Sequence, residues 1–158
     1  MARAGVILAA LLLVMVPTLT ASPTRSLHVS TESGFLIWCV PVRTNDVVQL
    51  QFTHSMFGGY VREQWQAAPG NRLQRARFVT ENAAAAEYYA TDGTSYRDTD
   101  GYVVPGESLQ ENELVIRVND RGDHRLSIGV HTIHLAEEVP QNTQVRIFIA
   151  TESCENEN

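Results

Sequence analysis

Apolar and polar residues alternate along most of the chain, in short segments separated by Gly, Pro, Asn and Asp. The alternation is clearest over residues 46–54, where Val48, Leu50, Phe52 and His54 share one face and polar residues dominate the other. A period of two is typical of a strand with one buried face. The same reasoning predicts further strands at residues 35–42, 60–66, 73–79, 113–118, 125–129, 132–135 and 144–150.

No long amphipathic helix interrupts these segments. One short helix is predicted at residues 81–87, capped by Thr80, because the segment is rich in alanine. The strands at 113–118 and 125–129 are expected to form a hairpin around the turn at 119–123. The pattern predicts an all-β, single-domain antiparallel sandwich or open barrel.

The N-terminal segment differs from the rest. Arg3 precedes an apolar run over residues 4–16, which is too short for a comfortable membrane span. We therefore predict a signal peptide over residues 1–21, with an uncleaved membrane anchor as the alternative. The β domain is expected over residues 27–150, and residues 151–158 as an acidic disordered tail. The protein is then periplasmic, secreted or on the cell surface.

The net charge and the types of basic residue exclude some classes of function. The net charge is -6, and all 12 basic residues are arginine. An acidic chain does not favour nucleic acid as a partner, because phosphate binding needs a positive surface. The absence of lysine excludes Schiff-base and P-loop lysine chemistry. Anion binding remains open, since arginine binds carboxylates well.

The two cysteines leave two interpretations open. Cys39 and Cys154 can form a disulfide, as pairs do in exported proteins. Alternatively, Cys39 is a small buried apolar residue and Cys154 belongs to a free tail.

The candidate chemistry is concentrated where the strand at 46–54 ends, in the triplet Thr53-His54-Ser55. If the next strand forms a hairpin with it, His54 and Glu63 face the same way, and the carboxylate orients the imidazole. The alternative is a histidine that closes the strand end by donating to a backbone carbonyl. Ser55 is expected on the opposite face, which disfavours a serine nucleophile paired with His54.

These residues resemble the family of small exported proteins catalogued as domain of unknown function 1850. The resemblance spans about residues 30–150 and rests on the Thr-His-Ser strand end, Glu63, the strand containing Phe78, and a later hairpin over residues 114–128. Two features depart from the family pattern. Residues 56–62 lack a proline, and residues 82–86 carry alanines where the family has a Gly-Ala-Gly loop.

The resemblance implies an extracytoplasmic β domain associated with the membrane subunit of a tripartite ATP-independent periplasmic (TRAP) transporter of the TAXI type. Such transporters move small organic anions, so an accessory or ligand-binding role is expected. An arginine would supply the charge. The expected contacts to ligand or partner are Thr53, His54, Ser55 and Glu63, with Arg62 or Arg75.

Other functions stay open. A small exported hydrolase or metal-binding enzyme could use His54 and Glu63, or the histidines His124, His131 and His134. The spacing of the last two argues against one metal site, because residues three apart on a strand face opposite sides. A structural or adhesion domain is the third class. We assign no catalytic residue, metal or cofactor.

Overall fold

The computed structural model describes residues 25–90, 93–106 and 109–154. The expected signal peptide lies outside these residues, as do residues 155–158 of the tail. Within the described part, neither helix is long and apolar enough to cross a membrane.

Strands make up most of the described chain, and they form two antiparallel sheets. In chain order the elements are β1 (Ser26–Thr31), β2 (Leu36–Pro41), β3 (Val47–Thr53), β4 (Tyr60–Ala68), β5 (Arg72–Thr80), α1 (Ala83–Tyr89), β6 (Tyr96–Asp98), β7 (Gly101–Pro105), β8 (Gln110–Glu111), β9 (Glu113–Arg117), β10 (Arg125–Ile128), β11 (His131–His134), α2 (Leu135–Glu138) and β12 (Gln144–Ala150). The small sheet has the order β2-β1-β12-β9. The large sheet has the order β11-β10-β3-β4-β5-β7-β6, with β8 paired to β5. The predicted sandwich is confirmed.

The two sheets pack face to face around one large apolar cluster. Every second residue of β12 is buried in this cluster, together with every second residue of β3. The buried residues include Val145, Ile147 and Ile149 of β12 and Val48 and Leu50 of β3. Each such side chain contributes about 1.5–3 kcal/mol when it leaves water. The period-two pattern of these strands therefore determines which face each presents to the core.

The large sheet is wider than the small one, and α1 covers part of the remainder. A second cluster forms there from Val61, Phe78, Val104 and the helix residue Ala86. Alanine lets the helix approach the sheet closely. The predicted cap is wrong: Asn82, not Thr80, accepts hydrogen bonds from the first free N–H groups of α1. Thr80 is the last residue of β5, and its hydroxyl accepts instead from the Asn82 N–H.

The predicted hairpin over residues 113–129 is also wrong. β9 pairs with β12 in the small sheet, whereas β10 pairs with β3 and β11 in the large one. The turn at 119–123 therefore crosses between the sheets. β1 was not predicted, and β6 and β7 lie in a stretch rich in turn residues.

A register shift between β4 and β5 changes which side chains of the strand predicted at 73–79 point toward the core. Arg75 lies opposite Trp65 and Arg77 opposite Gln64, so Ala76 is the extra residue of a bulge. Leu73, Arg75 and Phe78 consequently all face inward, which explains the imperfect alternation. Gly106 packs on this bulge, where a Cβ would lie 1.8 Å from the Arg75 carbonyl oxygen. Only glycine fits there.

Residues 151–154 lie across the outer face of the small sheet. A disulfide joins Cys154 to Cys39 of the edge strand β2, with the two Cα atoms 5.5 Å apart. The Ser26 hydroxyl donates to the Glu152 carbonyl at 2.7 Å. This part of the predicted tail is therefore attached to the sheet. The disulfide is consistent with an oxidising, extracytoplasmic compartment.

We expect the disulfide to contribute strongly to stability. It closes a loop with a sequence separation of 115 residues, and replacing both cysteines by serine should lower the free energy of unfolding by about 2–5 kcal/mol. Urea denaturation of wild type and of the Cys39→Ser/Cys154→Ser variant, each with and without reductant, measures this. Only the wild type should respond to reductant. An identical midpoint for reduced and oxidised wild type would contradict the prediction.

Candidate functional site

A cavity of about 330 Å³ opens on the inner face of the large sheet, between the two apolar clusters. We call this cavity, with the part of the sheet that borders it between the two clusters, the seam. It exists because the small sheet ends at β9, while α1 covers β5, β7 and the start of β4. The lining residues are Leu50, Phe52, Glu63, Trp65, Tyr89, Glu111, Glu113, Leu114, Val115 and Ile116.

Glu63 is the acidic residue on the sheet floor of the seam. It lies opposite Leu50 of β3 and Phe78 of β5, both of which are buried. Its carboxylate accepts a hydrogen bond from Trp65 Nε1 at 3.0 Å. Burial raises the pKa of Glu63, and the Trp65 hydrogen bond and the charge of Arg75 oppose this only in part. The carboxyl group therefore takes up a proton more readily than an exposed glutamate.

Arg75 is a buried cation beside Glu63. It lies directly across from Trp65, and its side chain is only 6 % exposed. Its Nε atom has no hydrogen-bond partner. Arg75 takes part in none of the ion pairs that the described residues form. A buried guanidinium N–H group without a hydrogen-bond partner is costly, because the hydration it loses is not replaced.

His54 closes the end of β3. Its Nδ1 atom accepts hydrogen bonds from the backbone N–H groups of Met56 and Phe57, at 3.1 and 3.2 Å. The proton of the neutral ring therefore resides on Nε2, which lies 3.4 Å from the Tyr89 hydroxyl. This arrangement is the predicted strand-end histidine, except that the ring accepts from the backbone instead of donating to a carbonyl.

Tyr89 lies between His54 and Glu63. Its ring stacks on Phe78 with the centroids 4.3 Å apart and meets His54 edge-on at 5.8 Å. Burial raises the pKa of Tyr89, and the Glu63 charge raises it further.

His54 and Glu63 both face the side of the sheet on which Tyr89 lies, as expected. Four positions of strand, or about 13 Å, separate their backbone positions in register, so Glu63 is not the group that orients the imidazole.

The remaining predicted contacts lie elsewhere. Thr53 and Ser55 are exposed and flank the buried His54. Arg62 faces the outer side of the large sheet, where its guanidinium forms an ion pair with Asp100 at 2.7 Å. Of the two candidate arginines, only Arg75 faces the inner side of the large sheet, where it lies next to the lining residues Glu63 and Trp65.

The candidate metal histidines His124, His131 and His134 do not line the seam cavity. His124 is buried and stacks on Phe52 with the centroids 5.7 Å apart, and burial lowers its pKa. His131 and His134 occupy the two ends of β11, opposite Ile128 and Arg125. Within the described residues, no three metal-ligating side chains come together.

Tyr89 and Glu111 line the seam but were not among the predicted contact residues. Tyr89 is the last residue of a short helix, and Glu111 lies in a strand of two residues. Neither position carries a pattern that distinguishes it from a loop. Trp65 was placed on the Glu63 face by alternation, which the structure confirms.

A larger groove of about 800 Å³ lies away from the seam, lined by Arg25, Arg43, His131 and residues of β2 and the β10–β11 turn. The Arg25 guanidinium is already engaged by Asn71, Thr44 and the Ala68 carbonyl. None of the predicted contact residues lines it. We therefore take the smaller seam cavity as the candidate site.

No family model, curated protein or solved structure matches the chain. Membership of the family that the sequence resembles therefore stays a prediction.

The raised pKa of Glu63 predicts a specific dependence of stability on pH. The folded protein binds this proton more tightly than the unfolded chain, so ionisation above the ordinary pKa of 4.5 destabilises the fold. Glu63→Gln removes the titration and keeps an acceptor for Trp65 Nε1. We expect its free energy of unfolding, relative to wild type, to rise as the pH is raised from 4.5 through the higher pKa of the folded protein, and then to level off.

Urea denaturation across this pH range measures the effect. Glu87→Gln, at an exposed position of α1, is the matched control and should show no such trend. A difference between Glu63→Gln and wild type that does not change with pH would contradict the prediction.

Proposed function

We propose that this protein is an extracytoplasmic binding module for a small organic anion, and that Arg75 at the seam is the anion contact. The observation that carries the proposal is the buried Arg75 guanidinium, whose Nε atom lacks a partner. A carboxylate accepts two parallel N–H bonds from arginine, which would replace the missing interactions.

The surroundings of Arg75 support small-molecule binding. It is next to Trp65 and Glu63, two lining residues of the cavity. The cavity, of about 330 Å³, is at the lower end of the range for small-molecule sites, of roughly 300–1,000 Å³. Its lining combines apolar and aromatic side chains with the carboxyl groups of three glutamates, and such polar groups fix the orientation of a ligand in small-molecule sites.

The geometry does not favour the hydrolase alternative. His54 Nδ1 is occupied by two backbone donors, and its Nε2 faces the Tyr89 hydroxyl. Ser55 is exposed beside it. A nucleophile and its base need a shared hydrogen bond, and none is formed between these two residues.

Replacing Arg75 by methionine should separate binding from stability. Loss of charge-assisted hydrogen bonds should weaken binding of the target anion about 10- to 100-fold. The free energy of unfolding without ligand should be unchanged or higher, because replacing a buried charge by an apolar side chain is often neutral or stabilising. Calorimetric titration with a panel of small mono- and dicarboxylates, together with urea denaturation, measures both effects.

Arg77→Met is the matched control, because Arg77 lies on the same strand but its Nε donates to Gln64 on the outer face. It should bind the same carboxylates as wild type. If Arg75→Met instead loses more than about 2 kcal/mol of stability and binds the panel as wild type does, the arginine is structural and the proposal fails.

For the partner, we propose the membrane subunit of a TRAP-type transporter, a suggestion that rests on the resemblance alone. Mild crosslinking of native membranes followed by affinity capture of the tagged protein and mass spectrometry tests it. Recovery of the transporter subunit by wild type and by Arg75→Met is expected, since a ligand contact need not be a partner contact. Its absence from both samples would refute the association.

A further inference from the structure

We infer that the ligand of the seam is a zwitterion, a small α-amino acid with an apolar side chain. This inference rests on the proposed binding function and names its ligand class. In this arrangement Arg75 binds the carboxylate, Glu111 binds the ammonium group, and the apolar wall of the cavity holds the side chain.

Arg75 and Glu111 are neighbours of opposite charge that do not pair. Glu111 lies across from Leu73 in the β5–β8 pair, and Arg75 is two residues further along the same face of β5. Diagonal neighbours of this kind are about 7–8 Å apart, within reach of long side chains. Yet neither residue takes part in an ion pair of the described chain. A molecule with both charges can satisfy both residues at once.

The cavity lining itself is acidic. It contains the carboxyl groups of Glu63, Glu111 and Glu113, and no cationic side chain is among its described lining residues. Arg146 Nε donates to Glu113 at 2.7 Å, and Glu63 lies near Arg75 and accepts from Trp65. Among these three carboxylates, Glu111 is the one whose side chain forms neither a hydrogen bond nor an ion pair within the described residues. A ligand that carried only negative charge would be repelled by it.

Two further features favour an ammonium group. The rings of Phe52, Trp65 and Tyr89 line the cavity, and aromatic faces attract cations. β9 also borders the cavity, and within the described residues it has a strand partner on one side only. The carbonyl groups of such an edge are available to N–H donors.

The rest of the wall is apolar. The aliphatic lining residues come from β3 and β9 and are Leu50, Leu114, Val115 and Ile116. Apolar surface of this kind favours a hydrocarbon side chain over a second carboxylate. The ligand class is therefore an apolar amino acid and not a dicarboxylate.

Matched pairs of probes test the inference, because each pair differs only in the α-ammonium group. The pairs are alanine with propanoate, leucine with 4-methylpentanoate, and phenylalanine with 3-phenylpropanoate. We expect calorimetric titration of the disulfide-bonded protein to show at least one amino acid that binds about tenfold or more tightly than its partner. The amine 3-methylbutylamine, which is leucine without its carboxylate, should bind at least as weakly as 4-methylpentanoate.

Variants test which residue binds the ammonium group of the ligand and which binds its carboxylate. Glu111→Gln should reduce amino-acid affinity to the level of the matched carboxylate, while leaving the carboxylate as tight or tighter. Arg75→Met should weaken both members of each pair. Glu87→Gln, at the exposed position of α1, should behave as wild type.

The outcomes distinguish this inference from the proposed function. If a carboxylate binds as tightly as its amino acid and Arg75→Met abolishes both, the zwitterion inference fails and anion binding stands. If 3-methylbutylamine binds as tightly as leucine, the carboxylate contact is refuted and the anion function fails with it. If no member of any pair binds, this ligand class is refuted, and the carboxylate panel decides the anion function separately.

Discussion

The unequal width of the two sheets is the constraint on which the site depends. A sheet of four strands cannot cover the inner face of a sheet of eight. Apolar residues left uncovered on that face would remain in contact with water, so α1 packs over Phe78 and Val104. The small sheet and α1 cover separate parts of this face, and a gap remains between them. The seam is that gap, and there the side chains of Glu63 and Arg75 face inward without displacing a tightly packed core.

The bulge in β5 determines which polar side chain occupies this place. In a regular strand, Arg75 and Arg77 would share a face, and Phe78 would point away from α1. One extra residue, Ala76, lets Arg75 face the seam and Phe78 face the helix. Gly106 supports the bulge by packing on the Arg75 carbonyl. The local irregularity of β5 is therefore what places a cation beside Glu63, and β-bulges are common near functional sites for this reason.

These features explain which parts of the structure could be predicted from the sequence. Strands such as β3 and β12 have one buried face, so their alternation is strong. The outer face of β1 is also buried, where residues 151–154 cross the small sheet, and its Ser26 and His28 positions hide the strand pattern. A turn such as 119–123 has the same local chemistry whether it joins two paired strands or crosses between sheets. Pairing partners decide between the two, and they are distant in sequence.

The residues of the candidate site were also difficult to predict from the sequence. His54 is conspicuous in sequence, yet two backbone N–H groups depend on its Nδ1, so replacing it would first disturb the turn after β3. Arg75 lies in the segment with the weakest alternation, yet it is buried and forms no ion pair with any residue that the structure describes. Burying it, and raising the pKa of Glu63 beside it, both destabilise the ligand-free protein. The apolar core and the long loop closed by Cys39 and Cys154 offset that cost. The cross-linked sandwich tolerates this unfavourable arrangement, and under the proposed function the hydrogen bond that Arg75 lacks in the free protein is the one that a ligand would supply.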